Sequence, residues 1–111
     1  MSKATIHERE DTVVRARADV VTDKPARYAK QLSSHLGRRC SITEESGGVR
    51  ITLPSESGAG SCLLASRGSV LELHAEAADD ETMSSVHDVI GRHLERFGER
   101  DGLTVSWQAV E

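Results

Sequence analysis

The stretch Ser61–Ala77, SCLLASRGSVLELHAEA, holds two runs of residues on either side of Arg67-Gly68. In the second run Leu71, Leu73 and Ala75 alternate with Val70, Glu72, His74 and Glu76. A period of two is the period of a strand with one face buried and one face wet. With a glycine-bearing turn between them, the two runs predict an antiparallel hairpin.

Upstream, residues 40–53 repeat the theme. Cys40 and Ile42 face one way, Val49, Ile51 and Leu53 form a matching row, and Ser46-Gly47-Gly48 makes the turn. Residues 54–60, PSESGAG, read as a loop. Residues 12–21, TVVRARADVV, alternate again, with Val14, Ala16, Ala18 and Val20 on one face. The pattern changes at TDKPARYAKQLSSHLG, residues 22–37, where Tyr28, Leu32, His35 and Leu36 recur at helical spacing. Asp23 is placed to cap that helix, Pro25 to sit in its first turn and Gly37 to end it. Downstream, Asp79, Asp80 and Glu81 crowd the start of a second helix, where the dipole favours negative charge. Met83, Val86, Ile90, Leu94 and Phe97 are its apolar stripe, and Gly98 its end. Leu103, Val105 and Trp107 predict a final strand.

The order is therefore β-α-β-β-β-β-α-β, with no run of parallel βαβ units. It implies an α+β fold of two layers, a mainly antiparallel sheet with two helices on one face. Residues 1–11 are polar and unpatterned and read as a disordered tail; residues 12–111 form one domain.

Composition narrows the function. The chain has 111 residues, 37% hydrophobic and 29% charged, with one Trp, one Tyr and one Phe. Its net charge of −4 divides into +3 over residues 1–55 and −7 over residues 56–111. An acidic half argues against a nucleic-acid partner, because phosphate binding needs a concentrated basic surface. The expected wet face, with Arg15, Arg17, Arg50, Glu72, His74 and Glu76, is mixed in charge and has no aromatic platform for bases. No apolar run reaches the length of a membrane span and no apolar signal core opens the chain, so the expectation is a cytoplasmic protein with reduced thiols. Cys40 and Cys62 fit neither a zinc ribbon nor a redox Cys-x-x-Cys motif.

Two histidines stand out. His35 borders the apolar stripe of the first helix and His93 that of the second. If both helices lie on one sheet face, the two imidazoles approach each other, and Cys40 or Cys62 beneath them would complete a metal or redox site. The alternative is that each histidine merely bonds backbone at a helix boundary. His87 lies six residues before His93, at a different angle on the helix, and makes no i, i+4 pair with it. The glycines of the turns fit no phosphate loop.

Two motifs carry a resemblance. HLERF (93–97), followed by a charged turn and LTVSWQ (103–108), resembles the C-terminal signature of an uncharacterised bacterial family, domain of unknown function 2218. PARYAKQLSSHLG (25–37) is similar to that family's first helix, through Arg27, Tyr28, Lys30, Gln31, Leu32 and His35. Ala29 stands where a leucine is expected. Gly37 follows Leu36 where an aromatic is common, which departs from any shared aromatic pocket. The resemblance spans about residues 12–108. It implies a small bacterial domain without an established activity, often beside or joined to flavin-dependent siderophore-interacting proteins. It thus implies an accessory, non-enzymatic role in iron handling, with such a flavoprotein or a small ligand as partner. It implies candidate ligand-binding residues at the matching positions Arg27, Tyr28, His35, His93 and Arg96, and leaves any cofactor unknown. Two other readings stand beside it: a small metal-binding protein or enzyme using His35, His93 and a cysteine, and a structural module that dimerises through its wet sheet face.

Overall fold

A computed structural model describes residues 13–54, 56 and 58–110. The tail expected over residues 1–11 lies outside them. The elements are β1 (Val14–Val21), α1 (Pro25–Leu36), β2 (Ser41–Glu45), β3 (Gly48–Thr52), β4 (Gly60–Arg67) and β5 (Val70–Ala77). A helical rod follows, made of α2 (Asp80–Val86), a π-helical turn (His87–Gly91) and α3 (Arg92–Phe97). A short 3₁₀ turn, Glu99–Asp101, leads to β6 (Gln108–Val110). The fold is α+β, as the alternation implies.

Every strand pairing is antiparallel, in the order β2-β3-β4-β5-β1-β6. The hairpin that opens the sequence argument is β4–β5, paired from Gly60↔Ala77 to Arg67↔Val70. Register then sorts the side chains. One row across the sheet runs Ile51, Cys62, Ala75 and Ala16; the next runs Val49, Leu64, Leu73 and Ala18. Nearly all of these are buried, and with the helices they make one core that includes Leu32, Val86, Ile90 and Leu94. The intervening rows face water, because a strand's side chains alternate between faces.

That wet face is cross-linked by charge. Arg17, Arg67 and His74 all approach Glu72, at 3.3, 3.2 and 3.0 Å, and Arg15 meets Glu76 at 3.5 Å. The hydrogen bond to His74, followed by the attraction of Arg17 and Arg67, holds the Glu72 carboxyl below the usual carboxylate range.

The helices follow their stripes. Pro25 occupies the first turn of α1, and Tyr28, Ala29, Leu32 and Leu36 bury its inner face. The expected Asp23 cap is not made: the position before Pro25 is Lys24, without a side-chain cap, and its amide donates to Thr22 Oγ1 instead. At the second rod Asp79 is the cap, accepting from the Thr82 amide at 2.7 Å. Val86, Ile90 and Leu94 are all fully buried. Residues four apart drift by about 40° per step around a 3.6-residue helix. The wider π turn between them takes up that drift and keeps all three on the sheet.

A further sequence reading is corrected. The last strand begins at Gln108, not Leu103. Leu103 is buried and Val105 and Trp107 half-buried, so their inward pattern is real. The segment is nonetheless drawn toward the helices: the Glu95 carboxylate accepts from the Val105 amide at 2.9 Å, and Trp107 stacks on His87 with ring centres 4.4 Å apart. Ile42 faces inward, as its place in the alternation implies. Its strand, β2, is the edge strand, however, and Ile42 remains 37% exposed.

The stack at His87 gives a pH prediction. His87 Nε2 is buried without a hydrogen-bond partner among the described residues. Burial lowers the imidazole from its ordinary value of 6.5, while Asp88 opposes with a weaker pull upward. The folded state therefore holds fewer protons than the unfolded chain around that value. The stability tied to neutral His87 is complete above about 6.5 and falls as pH drops below it. Urea unfolding followed by Trp107 fluorescence will give a lower midpoint at pH 5.5 than at pH 7.5, and His87→Phe will flatten that difference.

Candidate functional site

The end of α1 and the middle of the rod meet over the sheet. α1 and α3 pack directly, and this brings His35 and His93 together with ring centres 5.0 Å apart. Phe97, one turn beyond His93, presents its ring edge-on to His35 at 5.3 Å. The approach of the two histidines that the paired stripes implied is thus present.

They open on a cleft of about 740 Å³. One wall is the end of α1 and the turn after it, with His35, Arg38, Arg39 and Cys40. That turn is tight because the amides of Arg39 and Cys40 both donate to the Leu36 carbonyl, at 3.0 and 2.8 Å. A second wall is Leu53, Pro54 and Glu56 from the loop after β3. Val89 and His93 close the third. The lining combines an apolar floor with a few convergent polar groups, as small-molecule sites do.

His93 has a fixed orientation. Its Nδ1 lies 2.6 Å from the Val89 carbonyl oxygen. A carbonyl only accepts, so Nδ1 carries the proton and donates, and in the neutral ring Nε2 keeps its lone pair. No protein group bonds Nε2 among the described residues, and it is not a buried orphan.

The cysteines separate. Cys40 is half-buried on the cleft wall, and burial raises its thiol. Cys62 is fully buried on β4 between Ile51 and Ala75, does not line the cleft, and is pushed up to about 12 by burial. Of the two cysteines expected beside His35 and His93, Cys40 therefore shares their cleft and Cys62 does not. Among the described residues no group of three or more His, Cys, Asp or Glu side chains is placed to hold a metal ion. A thiol reagent at pH 8 will modify Cys40 slowly in the native protein and reach Cys62 only on unfolding. Prompt reaction of both would contradict this placement.

The other candidate residues line neighbouring hollows. Arg27 and Tyr28 line a separate hollow of about 400 Å³ with Lys24, Gln31, Phe97, Arg100 and Asp101. There the Tyr28 hydroxyl donates to the Asp101 carboxylate, which raises the phenol, burial adding to the effect. Arg96 lies in a third, shallower hollow beside Asp88, Val89, Arg92 and His93. Arg38, Arg39 and Glu56 were not singled out in the sequence. The signal for the arginines was their place just after the helix end that carries His35.

A family model described as "Uncharacterized protein conserved in bacteria (DUF2218)" matches residues 17–108. No curated protein matches the sequence. Among solved structures, the NMR structure of PA4090 from Pseudomonas aeruginosa is similar, with a TM-score of 0.67, 21% identity, and coverage of 86% of this chain and 95% of that one. That likeness establishes a shared fold. Among the described residues no helix is long and apolar enough to cross a membrane.

Proposed function

The chain belongs to the DUF2218 family of uncharacterised bacterial proteins, and from that premise we propose that it is a non-enzymatic ligand-binding domain whose site is the His35–His93 cleft. The observation that carries this reading is the cleft itself: two imidazoles 5.0 Å apart, one with its tautomer fixed, at the mouth of a hollow of about 740 Å³. Pre-set polar groups over an apolar floor lower the cost of ordering a ligand. On this reading the ligand belongs to iron handling, a ferric chelate or a product of its reduction, with a siderophore-interacting flavoprotein as partner; the resemblance to a family often found beside such flavoproteins supports it. The packing of the site supports binding over catalysis. Cys62 is buried away from it, and the raised thiol of Cys40 is a poor nucleophile at neutral pH.

The test is a proton–nitrogen NMR titration of the whole chain with zinc, ferrous iron and a ferric siderophore in turn. Selective shifts at His35 and His93, lost in His93→Ala, are the expected result. Shifts confined to scattered surface groups for every addition would overturn the reading.

A further inference from the structure

The charges of the cleft carry the ligand's chemistry further. Arg38 and Arg39 stand side by side on one wall, and neither makes an ion pair among the described residues. On the sheet face Arg15, Arg17, Arg50 and Arg67 are each paired with a carboxylate. The single carboxylate on the cleft lining, Glu56, lies on the loop wall. Two guanidinium groups against one carboxylate leave the hollow net positive in a chain whose overall charge is −4. A planar guanidinium fork is the side chain best suited to grip a carboxylate or phosphate.

His93 adds a second requirement. Its Nδ1 is committed to the Val89 carbonyl, so the edge left for a ligand is the Nε2 lone pair. In the neutral ring that atom accepts and does not donate. A ligand that satisfies both features brings negative charge to Arg38 and Arg39 and a hydrogen-bond donor to His93. The apolar lining of Leu36, Leu53, Pro54 and Val89 suits a compact carbon skeleton between the two ends.

We infer that the cleft binds a small organic anion that also carries a free hydroxyl, a hydroxy acid, with Arg38 and Arg39 on its anionic group and His93 Nε2 accepting from its hydroxyl. This rests on the reading of the cleft as the ligand site and names the class of ligand it takes. The roles divide cleanly: the arginines select for charge, and the tautomer of His93 selects for the hydroxyl.

The test is calorimetric titration of the whole chain with three flat probes, 3-hydroxybenzoate, benzoate and the uncharged 3-hydroxybenzamide, followed in parallel by the imidazole resonances. The expected order puts 3-hydroxybenzoate first, roughly threefold to tenfold tighter than benzoate, as one net hydrogen bond gives. Arg38→Gln with Arg39→Gln should weaken 3-hydroxybenzoate about tenfold or more, as loss of charge-assisted bonds does. His93→Phe should erase the preference over benzoate. Binding of the unaltered chain must also weaken as salt is raised, which checks the charge without a variant. Equal binding of 3-hydroxybenzoate and 3-hydroxybenzamide, no preference over benzoate, or no loss in the double arginine variant would overturn the inference. If a metal or ferric chelate moves His35 and His93 and these anions do not, the hydroxy-acid assignment falls alone. If nothing moves either histidine, the cleft reading falls with it.

Discussion

Leu94→Ala is expected to destabilise the protein by about 2–5 kcal/mol, the range for a buried leucine truncated where the surroundings collapse only in part. Leu94 is fully buried in the main core. It sits on α3 next to His93, on the helix that packs against α1. For a domain whose whole stability is about 5–15 kcal/mol, that loss is a large fraction. Leu94→Met, which keeps the volume, should cost less than about 1.5 kcal/mol. The consequence extends to the site. Leu94 anchors the helix that carries His93, so its truncation loosens the approach of His93 to His35 in molecules that remain folded. Chemical unfolding of both variants checks the energies, and inter-ring contacts in the NMR spectrum check the site. A stable Leu94→Ala variant with the histidine pair intact would contradict the packing described.

Gly48→Ala is the second large effect, and its origin is backbone rather than core. Gly48 opens β3 with φ of +149°, a conformation that side chains rarely adopt. A Cβ there would lie 2.1 Å from the Leu64 carbonyl oxygen and 3.2 Å from Ala65 Cα, both main-chain atoms that cannot rotate away. The expected cost is about 2–3 kcal/mol, combining backbone strain and overpacking. It should be local first. Amide exchange will speed up across the β2–β3 hairpin and at its junction with β4, while β1 and β5 keep their protection. Uniform loss across the sheet, or none, would contradict the role given to Gly48.

Much of this architecture is legible in particular residues. The alternation from Leu71 to Glu76 marks β5, and the stripes of Tyr28 with Leu32 and of Val86 with Leu94 mark the two helices. What local pattern does not convey is where an element ends when tertiary contacts compete for it. Leu103–Trp107 carries a strand's alternation, yet Glu95 and His87 hold it toward the helices, and pairing starts only at Gln108. Ile42 carries the inward pattern of a core residue, yet strand order puts it on an edge where the helices cover little. The π turn leaves a trace in the four-residue spacing of Val86, Ile90 and Leu94, visible once the drift of a regular helix is considered.

The site divides in the same way. His35 and His93 are legible because both border apolar stripes of helices that must share a sheet face. Cys62 was grouped with them because an inward strand position lies under the helices, but inward there means sealed in the core. Arg27, Tyr28 and Arg96 share motifs with the two histidines, and the helix turns carry them to other hollows. Arg38, Arg39 and Glu56 belong to turns and loops, whose side chains have no period to reveal their direction.

The most direct test of the central claim is a long-range proton–nitrogen correlation spectrum of the histidine rings in the unliganded protein. The account predicts His93 with its proton on Nδ1 and a bare Nε2, and contacts from its ring to those of His35 and Phe97. A proton on Nε2 instead, or no contact between the His35 and His93 rings, would contradict the cleft on which the proposed function and its ligand rest.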